Sequence, residues 1–70
     1  MDLKTYLEIK NISASDFATL IGVSAAAIRY YLTGKRKPEL RIAGLIQVAT
    51  MGRVKLEDMI KTWEEKNGKS

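Results

Sequence analysis

Hydrophobic residues recur along the chain at the spacing of α-helices. In the first segment, Leu3, Tyr6 and Leu7 share one face at intervals of three and four residues, which is typical of an amphipathic helix. The rest of the chain divides similarly and contains no convincing strand. The pattern predicts five helices, at about residues 3–10, 14–22, 24–33, 38–52 and 56–66.

Several start and stop signals surround the second helix. Ser13 is a favourable N-cap with Asp16 three residues later, and Ile12 and Phe17 occupy the two positions of a hydrophobic staple. Gly22 suits the left-handed residue that ends a helix. The second helix therefore has the best-defined boundaries in the chain.

Similar signals enclose the third helix. Ser24 can cap its start, and Gly34 can end it after Thr33. The second and third helices are short and are joined by a turn that contains glycine. This arrangement indicates a helix-turn-helix motif.

The fourth helix is predicted from Pro38, which suits a first turn, to Gly52. Gly44 lies inside it and costs about 1 kcal/mol relative to alanine, so we expect it to permit close packing. A stripe of residues three apart is predicted to be buried: Leu40, Ala43, Ile46 and Ala49. The fifth helix is predicted to direct four apolar side chains inward: Leu56, Met59, Ile60 and Trp63.

The third helix has two unlike faces at 100° per residue. We assign to the core face Ser24, Ala27, Ile28, Tyr31 and Leu32. We assign to the outer face Ala25, Ala26, Arg29, Tyr30 and Thr33. Two alanines on an outer face suit the DNA major groove, which is about 12 Å wide and admits a helix best where side chains are short. Exposed alanine is also simply a good helix former, so both interpretations stand.

The positive charge of the chain is clustered. The 70 residues make one domain with a formal net charge of +4. That excess lies between residues 24 and 41, where five cations face one acid. Such a cluster is typical of a nucleic-acid contact, and a solvated basic loop is the alternative.

The composition disfavours several classes of protein. The chain lacks cysteine and histidine, which removes disulfides, the usual nucleophiles and bases, and nearly every zinc site. We therefore expect no enzyme, no metal site and no cofactor. No signal peptide or membrane helix is visible, so we expect a cytoplasmic protein in a bacterium or a phage-infected host cell.

Two ordered series of residues run through the chain. The first comprises Phe17-Ala18, Gly22-Val23-Ser24, Ile28, Tyr31-Leu32 and Gly34-Lys35-Arg36-Lys37-Pro38. The second comprises Ala43, Ile46, Ala49-Thr50, Gly52-Arg53-Val54 and Glu57-Asp58-Met59. In both series the chain resembles the helix-turn-helix family of phage Cro and CI repressors and their XRE-type relatives. The resemblance extends from about Leu3 to Ile60.

The resemblance implies a fold and a set of site residues. The fold would be an all-α, compact five-helix, lambda-repressor-like DNA-binding domain over residues 1–65, followed by a flexible tail at 66–70. The motif would be held by Ala18, Gly22, Val23, Ile28 and Tyr31. DNA bases would be faced by Ala25, Ala26, Arg29 and Tyr30. DNA phosphates would be contacted by Ser24, Thr33, Lys35, Arg36 and Lys37.

Three positions depart from the family pattern. Many relatives have glutamine at the position of Ala14 and an amide at Ala25, where they brace the site or read adenine. A bidentate base contact contributes about 1–3 kcal/mol of discrimination, so direct readout should be lower here. We expect specificity from DNA shape, from Arg29 and Tyr30, and from thymine methyl groups packed on Ala25 and Ala26. Lys55 replaces a Ser or Thr cap, so the fifth helix is expected to start loosely.

The sequence thus predicts a sequence-specific double-stranded DNA-binding regulator, of the phage or prophage Cro-like repressor type. We expect a homodimer on a palindromic operator with half-sites about 34 Å apart, and no small-molecule ligand. Met59 and Trp63 are candidate dimer contacts, with core packing as the alternative for Trp63. An antitoxin or plasmid-type autoregulator on the same scaffold, or a protein-interaction module such as an antirepressor, remains an alternative.

Overall fold

A computed structural model describes residues 1–68 of the chain. It comprises five helices: α1 (Leu3–Lys10), α2 (Ala14–Ile21), α3 (Ala25–Thr33), α4 (Leu40–Ala49) and α5 (Leu56–Asn67). Residues 1–68 contain no strand. The all-α, five-helix prediction is confirmed.

Short polar side chains cap the first three helices. The side-chain oxygens of Asp2, Ser13 and Ser24 each accept a hydrogen bond from the backbone N–H three residues further on, at 2.8, 3.0 and 3.1 Å. Gly22 and Gly34 end α2 and α3 in the left-handed conformation. These local bonds satisfy terminal backbone groups and explain why the predicted boundaries of α1 to α3 hold to within a residue.

One hydrophobic core joins the helices. Phe17 of α2, Ile28 of α3, Ile46 of α4 and Val54 after α4 are completely buried. The Phe17 ring meets the Tyr6 ring edge to face, with 6.5 Å between centroids. Ala18 is also buried, and α2 and α3 pack against each other. The core therefore fixes the direction in which α3 projects.

The predicted extent of α4 is wrong at both ends. The helix begins at Leu40, with Glu39 extended as its N-cap, and Pro38 is buried ahead of it. It ends at Ala49, before Gly52. The Thr50 side chain, which is completely buried, explains this end: its hydroxyl donates to the Ile46 carbonyl at 2.9 Å and accepts from the Val54 N–H at 3.1 Å. The chain therefore turns at Thr50 before it reaches the glycine.

The buried face of α4 also differs from the predicted stripe. Ala43 and Ile46 are buried as expected, but Leu40 is 76% exposed and Ile42 is buried in its stead. The buried face is therefore centred on the Ile42 side of the helix. Gly44 is exposed, and a Cβ added to it would meet no atom within 4 Å. The expectation that Gly44 permits close packing is thus wrong within this chain.

The start of α5 is held by Asp58 in place of a capping hydroxyl. Its carboxylate accepts from the Lys55 N–H at 3.0 Å and from the terminal ammonium of Met1 at 3.2 Å. Partial burial tends to raise the pKa of Asp58, but these two hydrogen bonds and the attraction of the ammonium outweigh it and lower the pKa. The loose start expected from Lys55 is therefore wrong, because the third residue of the helix supplies the bond.

Replacing Asp58 with asparagine is expected to reduce the amount of stability that the protein loses when the pH is lowered into the acid range. Because the pKa of Asp58 is lowered by folding, its contribution is present above the unfolded value, about 3.9, and is lost as pH falls through the folded value. At neutral pH, we expect Asp58→Asn to lower the free energy of unfolding by about 0.3–1 kcal/mol. Urea titrations between pH 2 and 7 measure the difference from wild type.

Asp2→Asn is a parallel variant for this experiment, because Asp2 is the other carboxylate whose pKa is lowered by folding. The pKa of Asp2 is also lowered, by hydrogen bonds from Thr5, and asparagine preserves a side-chain oxygen for capping. Each single variant is expected to lose less stability on acidification than wild type, and the double variant less again. An acid limb that is identical in wild type and Asp58→Asn would contradict the assignment.

The end of α5 lies later than predicted. The helix continues through Asn67, so it includes the first residues of the predicted tail at 66–70. Residues 69 and 70 of that tail lie outside the described residues. Over residues 1–68, no helix has both the length and the apolar character needed to cross a membrane. The same residues contain no group of three acidic side chains placed to hold a metal ion.

Candidate nucleic-acid interface

The outer face of α3 is exposed, and its core face is buried around Ile28. Ile28 is completely buried, and Tyr31 and Leu32 are half-buried beside it. The exposed positions of the helix and its cap are Ser24, Ala26, Arg29, Tyr30 and Thr33. The assignment of Ser24 to the core face is therefore wrong, because this residue precedes the helix as its N-cap. The helix therefore presents one small side chain, one cation, one phenol and one hydroxyl outward.

Ala25 differs from its assignment to the outer face. It is half-buried and packs against the core. The reason is its position three residues before Ile28, which places the two side chains about 60° apart on the helix. Ala25 thus lies at the border between the two faces, and Ala26 is the alanine that faces outward.

Two hydroxyl groups assigned to phosphate differ in what they can offer. The Ser24 oxygen accepts the capping bond from Ala27, which leaves its hydroxyl proton free to donate. The Thr33 hydroxyl donates to the Arg29 carbonyl at 3.1 Å. Thr33 can donate to a phosphate only if it gives up that bond, whereas Ser24 can donate directly.

Three consecutive cations follow α3, and each lies over an aromatic ring. Lys35 Nζ and Arg36 Cζ are each 5.6 Å from the centroid of the Tyr30 ring. Lys37 Nζ lies 4.9 Å from the centroid of the Trp63 ring. We call residues 34–37 the basic loop. The cationic side chains of the loop lie against aromatic rings and not against carboxylates.

The basic loop retains its positive charge at the surface. Within residues 1–68, the one ion pair joins the terminal ammonium to Asp58, remote in sequence from the loop. Lys35, Arg36 and Lys37 are all exposed. Cations without carboxylate partners adjoin the exposed face of α3, and this arrangement suits an extended polyanion.

The two candidate dimer contacts on α5 lie in different surroundings. Met59 is only 4% exposed and belongs to the core, so the prediction that it contacts a second copy is wrong. It belongs to the buried core cluster, and α5 packs against α3 and α4. Trp63 is half-buried, and its ring carries Lys37. Sequence spacing marked Trp63 but did not reveal this contact.

An exposed apolar face on α4 was not predicted from the sequence. It carries Leu40, Leu45 and Val48, and Met51 continues it beyond the helix. Val48 and Leu40 are each more than three-quarters exposed, and Gly44 lies midway between them. The apolar Ile42 next to Ala43 is the sequence signal that would have identified the buried face of α4 correctly. This surface is separate in sequence from the outer face of α3.

Comparison with known families identifies the motif. A family model described as helix-turn-helix matches residues 3–49. The match contains α1 to α4, the exposed face of α3 and the basic loop, and it leaves α5 outside. No curated protein and no solved structure is significantly similar to the chain.

Proposed function

Because the chain belongs to the XRE-type helix-turn-helix family, whose members are DNA-binding transcription regulators, we propose that it is a Cro-like repressor. It would place α3 in the major groove of an operator and prevent polymerase from using the promoter. Ala26, Arg29 and Tyr30 would face the bases. Ser24 and the basic loop would contact the phosphates.

This proposal rests on one observation: the exposed outer face of α3 and the basic loop adjoin each other. The outer face of α3 has a small side chain at its N-terminal end, where a recognition helix enters a groove most deeply. The basic loop follows at the other end of the same helix and carries three exposed cations. Base readout and phosphate binding can therefore occur together on one side of the molecule.

Replacing Lys35 and Lys37 together with glutamine is expected to weaken binding to all DNA sequences alike. The slope of log affinity against log salt should fall in magnitude by about 1.8, because each phosphate contact contributes about 0.9. We expect a loss of about tenfold to a hundredfold in affinity near physiological salt. Fluorescence anisotropy with a selected duplex and an unrelated duplex measures both quantities.

The matched control replaces Lys10 and Lys61, which are exposed and lie outside the cluster, with glutamine. This variant has the same net charge as the loop variant and should retain most of the wild-type slope. Equal slopes for the two variants would contradict the phosphate-binding role of the loop. If the wild-type protein had no affinity for duplex DNA even at low salt, a protein-interaction module would be the better assignment.

A second copy is part of the proposed function, and the exposed face of α4 suits it. A single motif makes few contacts, and a palindromic operator demands a two-fold partner. Gly44 lowers the stability of α4 by about 1 kcal/mol without packing against anything in its own chain. Leu40 and Val48 flank it at four residues on either side, so two α4 helices could cross at Gly44 in antiparallel directions. Such a crossing would bring the same surface of both copies together, as a two-fold interface requires.

Replacing Val48 with glutamate is expected to abolish cooperative binding to a duplex with two half-sites. Burial of an unpaired carboxylate against the second copy would cost several kcal/mol. Affinity for a single half-site should stay within about twofold, because the outer face of α3 is unchanged. Gel mobility shifts over a range of protein concentration separate the two stages of binding.

Ile9→Glu is the control for this variant, since Ile9 is also largely exposed but belongs to α1. It should leave cooperative binding unchanged. Cooperative binding that persists in Val48→Glu would place the contact between copies elsewhere.

A further inference from the structure

The C-terminal part of α5 lies beyond the matched residues 3–49 and yet contacts the basic loop. Asn67 Nδ2 donates to the Gly34 carbonyl at 2.7 Å and to the Trp63 carbonyl at 2.8 Å. The Trp63 ring lies under the ammonium of Lys37. Both ends of the loop are therefore attached to the last turns of α5.

The contact at Gly34 is close because this residue has no side chain. A Cβ on Gly34 would lie 2.6 Å from Lys66 Cβ and 3.1 Å from the Thr62 carbonyl oxygen. Gly34 is buried although it begins an exposed loop. The backbone of the loop thus rests directly on α5 at its first residue.

These contacts restrict where the loop and Lys37 can go. A lysine side chain has four rotatable bonds and would otherwise sample many orientations. The Trp63 ring limits that freedom but leaves the ammonium charged and exposed. The lysine side chain therefore loses less conformational entropy when its ammonium binds a phosphate.

We propose that Trp63 and Asn67 are positioning residues for DNA binding, which hold the basic loop so that Lys37 is aligned with a backbone phosphate. The proposal rests on the proposed DNA-binding function. Asn67 fixes the first peptide of the loop, and Trp63 holds the side chain at its last cation. The helix outside the matched residues would thereby position one of the phosphate contacts.

Three variants test this role by DNA affinity and by its salt dependence. Asn67→Ala removes the donor to Gly34 at an exposed position, Trp63→Leu removes the ring, and Trp63→Phe retains an aromatic face. We expect Asn67→Ala and Trp63→Leu to bind duplex DNA about threefold to tenfold more weakly, with Trp63→Phe nearer to wild type. Their salt slopes should fall toward that of Lys37→Gln, which is expected to lose about 0.9.

The salt slope separates positioning from a general loss of stability. A variant that is merely less stable has a smaller active fraction, but its folded molecules retain the wild-type slope. Stoichiometric titration at low salt measures that fraction. If Trp63→Leu proves to be unfolded, Asn67→Ala decides, because Asn67 contributes no core packing.

The fluorescence of Trp63 gives a direct signal, since it is the one tryptophan of the chain. Because bound DNA would bring a phosphate to the ammonium that lies over the ring, the emission of wild-type protein should change at saturating DNA. In Lys37→Gln the change should be much smaller. A matched control, Lys10→Gln, should show the wild-type change.

The outcomes distinguish the two proposals. No affinity of wild-type protein for duplex DNA would refute the function itself. Wild-type binding with a slope that falls in Lys37→Gln, but with unchanged affinity and slope in Asn67→Ala and Trp63→Leu, would refute the positioning role alone. An emission that does not respond to DNA in wild type would likewise count against a phosphate contact by Lys37 at the ring.

Discussion

Replacing Ala26 with glutamate is expected to reduce affinity for duplex DNA by about a hundredfold or more and to leave the fold intact. Ala26 is exposed on the outer face of α3, so a longer side chain meets no part of the chain itself. Against DNA the carboxylate would face phosphates and base-edge acceptors, and such like-charge contacts cost several kcal/mol. The free energy of unfolding should change by no more than about 0.5 kcal/mol, because this is a surface site.

Two further variants separate size, charge and location. Ala26→Gln adds nearly the same volume without charge, and we expect it to lose less affinity than Ala26→Glu. Ile9→Glu adds the same charge at an exposed position of α1, and we expect affinity near that of wild type. Anisotropy measures DNA binding, and urea titration measures stability. Unfolding of Ala26→Glu would mean that this residue faces the core, and full DNA affinity would remove the outer face of α3 from the interface.

Local signals were sufficient to predict α1, α2 and α3. Ser13 and Ser24 each accept the capping bond that their positions suggested, and Gly34 ends α3 as expected. These interactions join residues within a few positions of one another, so the sequence contains them directly. The face of α3 around Ile28 followed from helical spacing for the same reason.

Tertiary contacts decided the features that the sequence did not predict. The end of α4 depends on the complete burial of Thr50 by the rest of the fold, which leaves its hydroxyl to bond Val54 across a turn. Residues 33 positions apart form the bond between Asn67 and Gly34. Spacing within α5 predicted that Met59 points inward, but it could not exclude a contact with a second copy, because that depends on which neighbours cover its face. The exposed face of α3 was therefore predicted apart from its first residues, while the support that α5 gives to the basic loop was not.

Replacing Gly34 with alanine is expected to destabilise the protein by about 2–5 kcal/mol. Gly34 has a φ of +74°, which costs an L-residue about 1–2 kcal/mol. The new methyl group would also press on Lys66 and on the Thr62 carbonyl oxygen, and overpacking of this kind adds about 1–3 kcal/mol. A 70-residue domain has a total stability of about 3.5–10 kcal/mol, so the variant should be partly unfolded at moderate urea.

Gly22→Ala supplies the comparison that isolates the contact with α5. Gly22 has a nearly equal φ of +79°, but a Cβ there would meet no atom within 4 Å. Its cost should therefore be the conformational part alone, about 1–2 kcal/mol. The difference between the two variants in urea titrations measures how firmly α5 rests on the basic loop. Equal losses would mean that α5 yields easily at Gly34, and a loop so weakly supported could not align Lys37 with a phosphate.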